Sequence, residues 1–226
     1  MKQYCEYRAQ ARETLKGRWN EMALLVFVLA CIGCAVSIPV AVGASFASMN
    51  YDMTWLHLGG GGCNFLFSIL VLVPLSYAFY NLCLQYARKE ELTDSYFATL
   101  FKDFGANWSK YVGSGLLVYI LVCLIAVPTL LIGAIILGLA YGMVPFIVHD
   151  NPDMSVRDIL RTSRLMMRGH KWELFVLELT FIGWGLLCIL TLYIGFFWLQ
   201  PYMTTSFAHF YDDVKAEYEL KKEAAL

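Results

Sequence analysis

The stretch YVGSGLLVYILVCLIAVPTLLIGAIILGLAYGMVPFIV, Tyr111 to Val148, carries no charged residue. A helix crosses roughly 30 Å of hydrocarbon with about 20 mostly apolar residues, so this run is too long for one upright crossing. It reads as a tight pair of spans turning at Val127-Pro128-Thr129, where proline punctuates the pattern.

On the N-terminal side, Met22 to Tyr51 and Cys63 to Ala87 are also free of charge, and each fits one crossing. Leu179 to Tyr211 is uncharged and again too long for one helix. It reads as a second pair that starts near Trp172, with Glu173 and Glu178 toward its inner end, and turns at Leu192-Tyr193-Ile194-Gly195. The expected fold is an all-α polytopic membrane protein, a single membrane domain over residues 1–226. Its six transmembrane helices lie near 22–46, 65–87, 111–127, 130–148, 172–190 and 194–211, with a short cytoplasmic tail at 212–226. Composition agrees, with 59% of residues apolar, 15% charged and a mean hydropathy of +0.57. An ordinary soluble domain carries roughly 25% charge.

Lysine and arginine give the orientation, because cytoplasmic loops carry them in excess. The N-terminal segment holds Lys2, Arg8, Arg12, Lys16 and Arg18, and the loop after the second span holds Arg88, Lys89, Lys102 and Lys110. Arg157, Arg161, Arg164, Arg168 and Lys171 follow the fourth span, and Lys215, Lys221 and Lys222 lie in the tail; together these are all 17 basic residues. Six spans place every one inside, whereas five would put the tail outside. Both termini are therefore predicted to be cytoplasmic. The outer face keeps the loop from Ala47 to Asn64, with Asp52, His57 and Gly59 to Gly62, and two short turns. No cleavable signal peptide is visible, because the first twenty residues are polar. A net charge of −1 gives no indication of a nucleic-acid partner.

Each cytoplasmic segment leading into a span ends in Gly and then Trp: Gly17 and Trp19, Gly105 and Trp108, Gly169 and Trp172. An amphipathic stretch precedes each pair; the second has a cap at Thr93, and the third has Ser155 with Asp158 three residues on. The second span of each unit carries Pro74, Pro145 or Pro201. Two readings stand. The chain is a threefold repeat of surface helix and helical hairpin, or Gly ends any helix and Trp favours any membrane interface.

Arg157, Arg161, Arg164 and Arg168 fall within roughly 60° of arc at about 100° per residue. Val156, Ile159, Leu160, Met166 and Met167 take the far side. That pattern predicts a cytoplasmic interfacial helix, apolar face down, whose arginines and Lys171 meet anionic lipid headgroups or a partner. The plainer reading makes the same charges topological anchors without selectivity.

Residues for chemistry are scarce. Cys31 and Cys34 have CxxC spacing but lie inside a span, where small residues are packing material. Only Cys63 faces the outside. Glu178 is the one carboxylate appreciably inside a span and is the candidate buried polar site. His149, His170 and His209, near Asp150, Glu173 and Asp212, could form a metal or acid–base cluster, yet no spacing resembles HExxH. No catalytic residue, metal ligand or cofactor motif is assigned. Pro39, Pro74, Pro145 and Pro201 are expected to bend their spans.

The segments ARETLKGRWNEMALLVF (Ala11 to Phe27), YGMVPFIVHDNPDMSVRDILRTSRLMMRGHKWELF (Tyr141 to Phe175) and FIGWGLLCILTLYIGFFWLQPYMTTSFAHFY (Phe181 to Tyr211) resemble a bacterial integral membrane family catalogued as domain of unknown function 975. The likeness covers nearly the whole chain. It is most specific at Ser163 to Trp172, Phe181 to Trp184 and Pro201-Tyr202. Tyr193 departs from it, standing where the family tends to have Gly. The resemblance implies a protein of the bacterial cytoplasmic membrane, distantly similar to the membrane portion that accompanies some glycerophosphodiester phosphodiesterases, and carries over no activity or catalytic residue. The favoured function is a non-enzymatic scaffold or accessory for lipid or peptide handling. A permease for an apolar or amphiphilic substrate comes second. An enzyme acting on lipid headgroups comes third and requires the three histidines to converge on carboxylates.

Overall fold

The computed structural model describes residues 4–48, 66–89, 96–126 and 132–224, and all of the described elements are helical. They are α1 (Tyr4–Thr14), α2 (Trp19–Ser48), a π-helical turn (Ser68–Leu72) running into α3 (Val73–Ala87), α4 (Tyr96–Ala126), α5 (Ile132–Tyr141), α6 (Val144–Asp150), α7 (Val156–Met166), α8 (Lys171–Leu190) and α9 (Phe196–Glu223). The expected outer loop from Ala47, the Thr93 cap and the Val127-Pro128-Thr129 turn fall mostly or wholly outside the described residues.

Ile69–Ala87, Gly133–Asp150 and Lys171–Leu190 are each long and apolar enough to cross a membrane. Cys5–Thr14 and Trp19–Ala35 pass the same test together but are bent by 94°. That bend sits at Gly17, whose φ of +85° is a left-handed conformation that glycine adopts without a Cβ penalty. Gly169, at φ +101°, makes the corresponding turn between α7 and α8. The middle unit differs. Gly105 lies inside α4, which continues unbroken from Tyr96, so the expected second surface helix and third span are one rod. Packing against α3 sustains it. Tyr86 meets Tyr96 at 5.9 Å and Tyr77 meets Tyr111 edge-on at 5.5 Å. Gly115 lets the two helices approach so closely that any Cβ there would collide with Val73. Trp108 donates its indole N–H to the Leu70 carbonyl at 2.8 Å. The contact draws the ring toward the start of the second apolar run, away from the basic end where the Gly-Trp pattern placed it.

Two prolines begin helices instead of bending them. Pro145 sits in the first turn of α6 after a break at Gly142 and Met143, so the fourth apolar run is two helices; Pro74 follows the π-helical turn into α3. Pro39 and Pro201 instead lie well inside their helices, α2 and α9. The turn between α8 and α9 spans residues 191–195, close to the expected place, with Leu192 at φ +53° and Tyr193 at φ +67°. Tyr193 thus occupies a left-handed site at a cost that glycine would avoid. The expected tail is helical, since α9 continues to Glu223.

Helix α9 is the hub, packing against α1, α2, α3 and α8, while α4 packs on α3, α5 and α7. Phe146 stacks on Tyr211 at 5.2 Å and meets Tyr80 edge-on at 5.6 Å, joining α6, α9 and α3 at the centre of the core. The flank of α8 is the reverse of a soluble surface, with Ile182, Leu186, Ile189 and Leu190 each more than half exposed. Apolar surface on that scale needs lipid or a partner over it.

Candidate functional site

Helix α7 is set by its first turn. Ser155 caps it, its Oγ accepting from the Asp158 backbone N–H at 3.3 Å and donating to the Asp158 carboxylate at 2.6 Å. Ile159, Leu160, Ser163, Met166 and Met167 are buried, while Arg157, Arg161, Arg164 and Arg168 are exposed on the other side. The buried side does not wait for lipid. It docks on α4, α5 and α6, where Val156 packs over Gly113 and Ser163 donates to the Ala140 carbonyl at 2.9 Å. The expectation of an apolar face laid into the membrane is corrected accordingly, because protein already covers that face.

The four arginines line one cavity of about 440 Å³. Leu117 of α4, Tyr141 of α5 and Leu160 supply its apolar wall. A second cavity, of about 390 Å³, adjoins it, and Leu165 and Arg168 line both. His170, Lys221 and Lys222 complete its basic side, bringing the end of α9 against the end of α7. Lys171 lines neither.

Sequence reading missed the other charged centre. Arg88, just past α3, grips Asp150 at the end of α6 through two bonds of 2.7 and 2.8 Å and also donates to Asp212 of α9 at 2.7 and 3.0 Å. Tyr211 and Lys215 donate to the same Asp150 carboxylate at 2.9 and 2.7 Å. The Asp150 side chain is 6% exposed, against 25% for Arg88 and 31% for Asp212. Its hydrogen bonds to Asp150 raise the pKa of Arg88 above its usual value, against the opposing effect of burial and with help from Asp212. A signal for this centre existed. Arg88, Asp150 and Asp212 each stand within two residues of the end of an even-numbered expected span.

The histidines do not gather. His170 lies 3.1 Å from Glu173 and 3.4 Å from Glu217, and His209 lies 3.1 Å from the Thr14 hydroxyl. Lys221 bonds Glu217 at 2.6 Å and holds its carboxyl below the usual range. Among the described residues no three His, Cys, Asp or Glu side chains are placed to share a metal ion. Glu178, on α8, is not covered by protein and makes no hydrogen bond or ion pair among the described residues. Cys31 and Cys34 are exposed free thiols on α2.

The family profile described as "Protein of unknown function (DUF975)" matches residues 64–218. No curated protein and no solved structure matches the chain.

Proposed function

We propose that this chain, which belongs to the DUF975 family, is a six-span protein of the bacterial cytoplasmic membrane with both termini inside, acting as a scaffold or accessory in lipid or peptide handling. Its working surface is the arginine face of α7, which takes anionic lipid headgroups. One observation carries the reading. Arg157, Arg161, Arg164 and Arg168 converge on one cavity and have no carboxylate partner among the described residues, while Arg88, Lys215 and Lys221 are all paired. Each such arginine contributes about 1 kcal/mol of attraction near an anionic surface. With the apolar side of α7 fixed by protein, the backbone that carries these charges is already ordered, and binding orders only the exposed side chains.

Native mass spectrometry of the gently extracted protein tests this. Anionic phospholipid should survive on the wild-type chain and be largely lost when all four arginines are changed to Glu. Equal retention by both proteins would overturn the headgroup role. A permease is the second reading, favoured by an apolar cavity of about 330 Å³ lined by Trp19, Trp184, Trp198 and Tyr202, with Arg12 as its single charge. A discrete small amphiphile bound in simple stoichiometry would promote it.

A further inference from the structure

We infer that the α7 surface is a site for a lipid carrying two phosphate groups, one held by Arg157, Arg161 and Arg164, the other beside Lys222, with Arg168 between them. The inference rests on the headgroup reading above and names its ligand. Charge comes first. Five cations, Arg157, Arg161, Arg164, Arg168 and Lys222, line the two cavities without a carboxylate partner among the described residues. A headgroup with one phosphodiester would meet that cluster with a single negative charge and leave one cavity unfilled. Guanidinium forks bind phosphate oxygens in pairs, so an arginine shared by both cavities is placed to bridge two phosphates. The nearby carboxylates do not oppose this, since Glu173 and Glu217 are turned onto His170 and Lys221 and neither lines the cavity.

Shape then separates a lipid from a free phosphate. Leu117 and Tyr141 give the first cavity an apolar wall beside its guanidinium groups. Three and seven residues beyond Leu117, on the same face of α4, Ile120 is 54% and Leu124 69% exposed. Acyl chains leaving the phosphates have an apolar track along that face, and a soluble diphosphate has no use for one.

The test is native mass spectrometry of the full chain titrated in turn with a diphosphatidylglycerol, a phosphatidylglycerol and inorganic pyrophosphate. The two-phosphate lipid should bind about tenfold more tightly than the one-phosphate lipid. Lys222→Glu, at an exposed position near the end of α9, should remove that preference and leave phosphatidylglycerol binding within about twofold. An unchanged melting temperature shows that the variant is folded. Equal affinity for the two lipids, lost from both in the four-arginine variant, would overturn the two-phosphate inference and leave the headgroup reading standing. Pyrophosphate binding as tightly as the two-phosphate lipid would overturn the lipid source. No binding of any probe would overturn both readings.

Discussion

At the scale of single residues, the buried carboxylate of Asp150 governs more than any of the arginines that stand out in the sequence. It accepts two bonds from Arg88 and one each from Tyr211 and Lys215, with a side chain only 6% exposed. Removing one partner of a buried ion pair costs about 3–5 kcal/mol, because the remaining charges stay desolvated without compensation. Asp150→Ala should therefore lower the thermal unfolding midpoint steeply in detergent. Asp212 is 31% exposed and shares Arg88 with a better partner. Its loss resembles that of a surface pair, about 0–1 kcal/mol. Equal losses of stability in the two variants would show that Asp150 is not the centre of the network. The sequence marks each of these charges at a span end but not their pairing. Arg88, Asp150 and Asp212 are 62 and more residues apart, and no helical periodicity reaches across such separations.

At the scale of elements, three glycines in similar local sequences have different jobs. Gly17 and Gly169 adopt φ of +85° and +101° at helix breaks, and Gly105 is helical; no neighbouring atom crowds a Cβ at any of them. The same substitution should therefore act with opposite signs. Gly17→Ala and Gly169→Ala should each destabilise by about 1–2 kcal/mol through the left-handed backbone alone, and Gly105→Ala should stabilise by up to about 1 kcal/mol in a helix interior. Thermal unfolding of the three variants decides it, and a loss of stability at Gly105 would argue for a break in α4 after all. The Gly-Trp pattern in the sequence was legible as a helix end, yet whether a helix ends there depends on what packs against it. In α4 the partner is α3, and nothing in the local residues announces it. Helix α7 makes the same point. Its cap and arginine stripe were readable from Ser155 to Arg168, but an apolar stripe fits lipid and protein equally well. Ile159 is fully buried by protein, so Ile159→Ala should cost about 2–5 kcal/mol. A face that met only lipid would lose far less, and a change near zero would return the helix to the membrane surface.

At the scale of the whole molecule, the charged residues fix which ends lie together, whatever surrounds them. Arg88, Asp150, Asp212 and Lys215 form one network, which puts the C-terminal ends of α3 and α6 beside the middle of α9. Within the N-terminal segment, Arg18 stacks on Tyr86 at 5.0 Å and Thr14 meets His209, while Arg8 lies over Phe181 of α8 and Arg12 lines a cavity with Thr191 and Gly195 of the α8–α9 turn. A five-span chain would send the tail to the opposite face, yet Lys215 of that tail holds Asp150 at 2.7 Å. The pairing of these charges supports the proposed six-span arrangement, which the count of lysines and arginines suggested. Three of the apolar runs were legible as helices long and apolar enough to cross a membrane because hydrocarbon imposes a length, whereas the break at Gly142 and the unbroken α4 come from neighbours that no run length encodes. The arrangement predicts accessibility. Cys5 is exposed near the N-terminus, Glu223 is exposed at the end of α9, and the outer loop of the six-span reading holds Cys63. In intact cells a membrane-impermeant thiol reagent should label Cys63 and spare both Cys5 and a cysteine introduced by Glu223→Cys, and all three should react once the membrane is opened. Labelling of Glu223→Cys in intact cells would place the tail outside, and the shared face of basic residues would then have to be given up together with the headgroup site built on it.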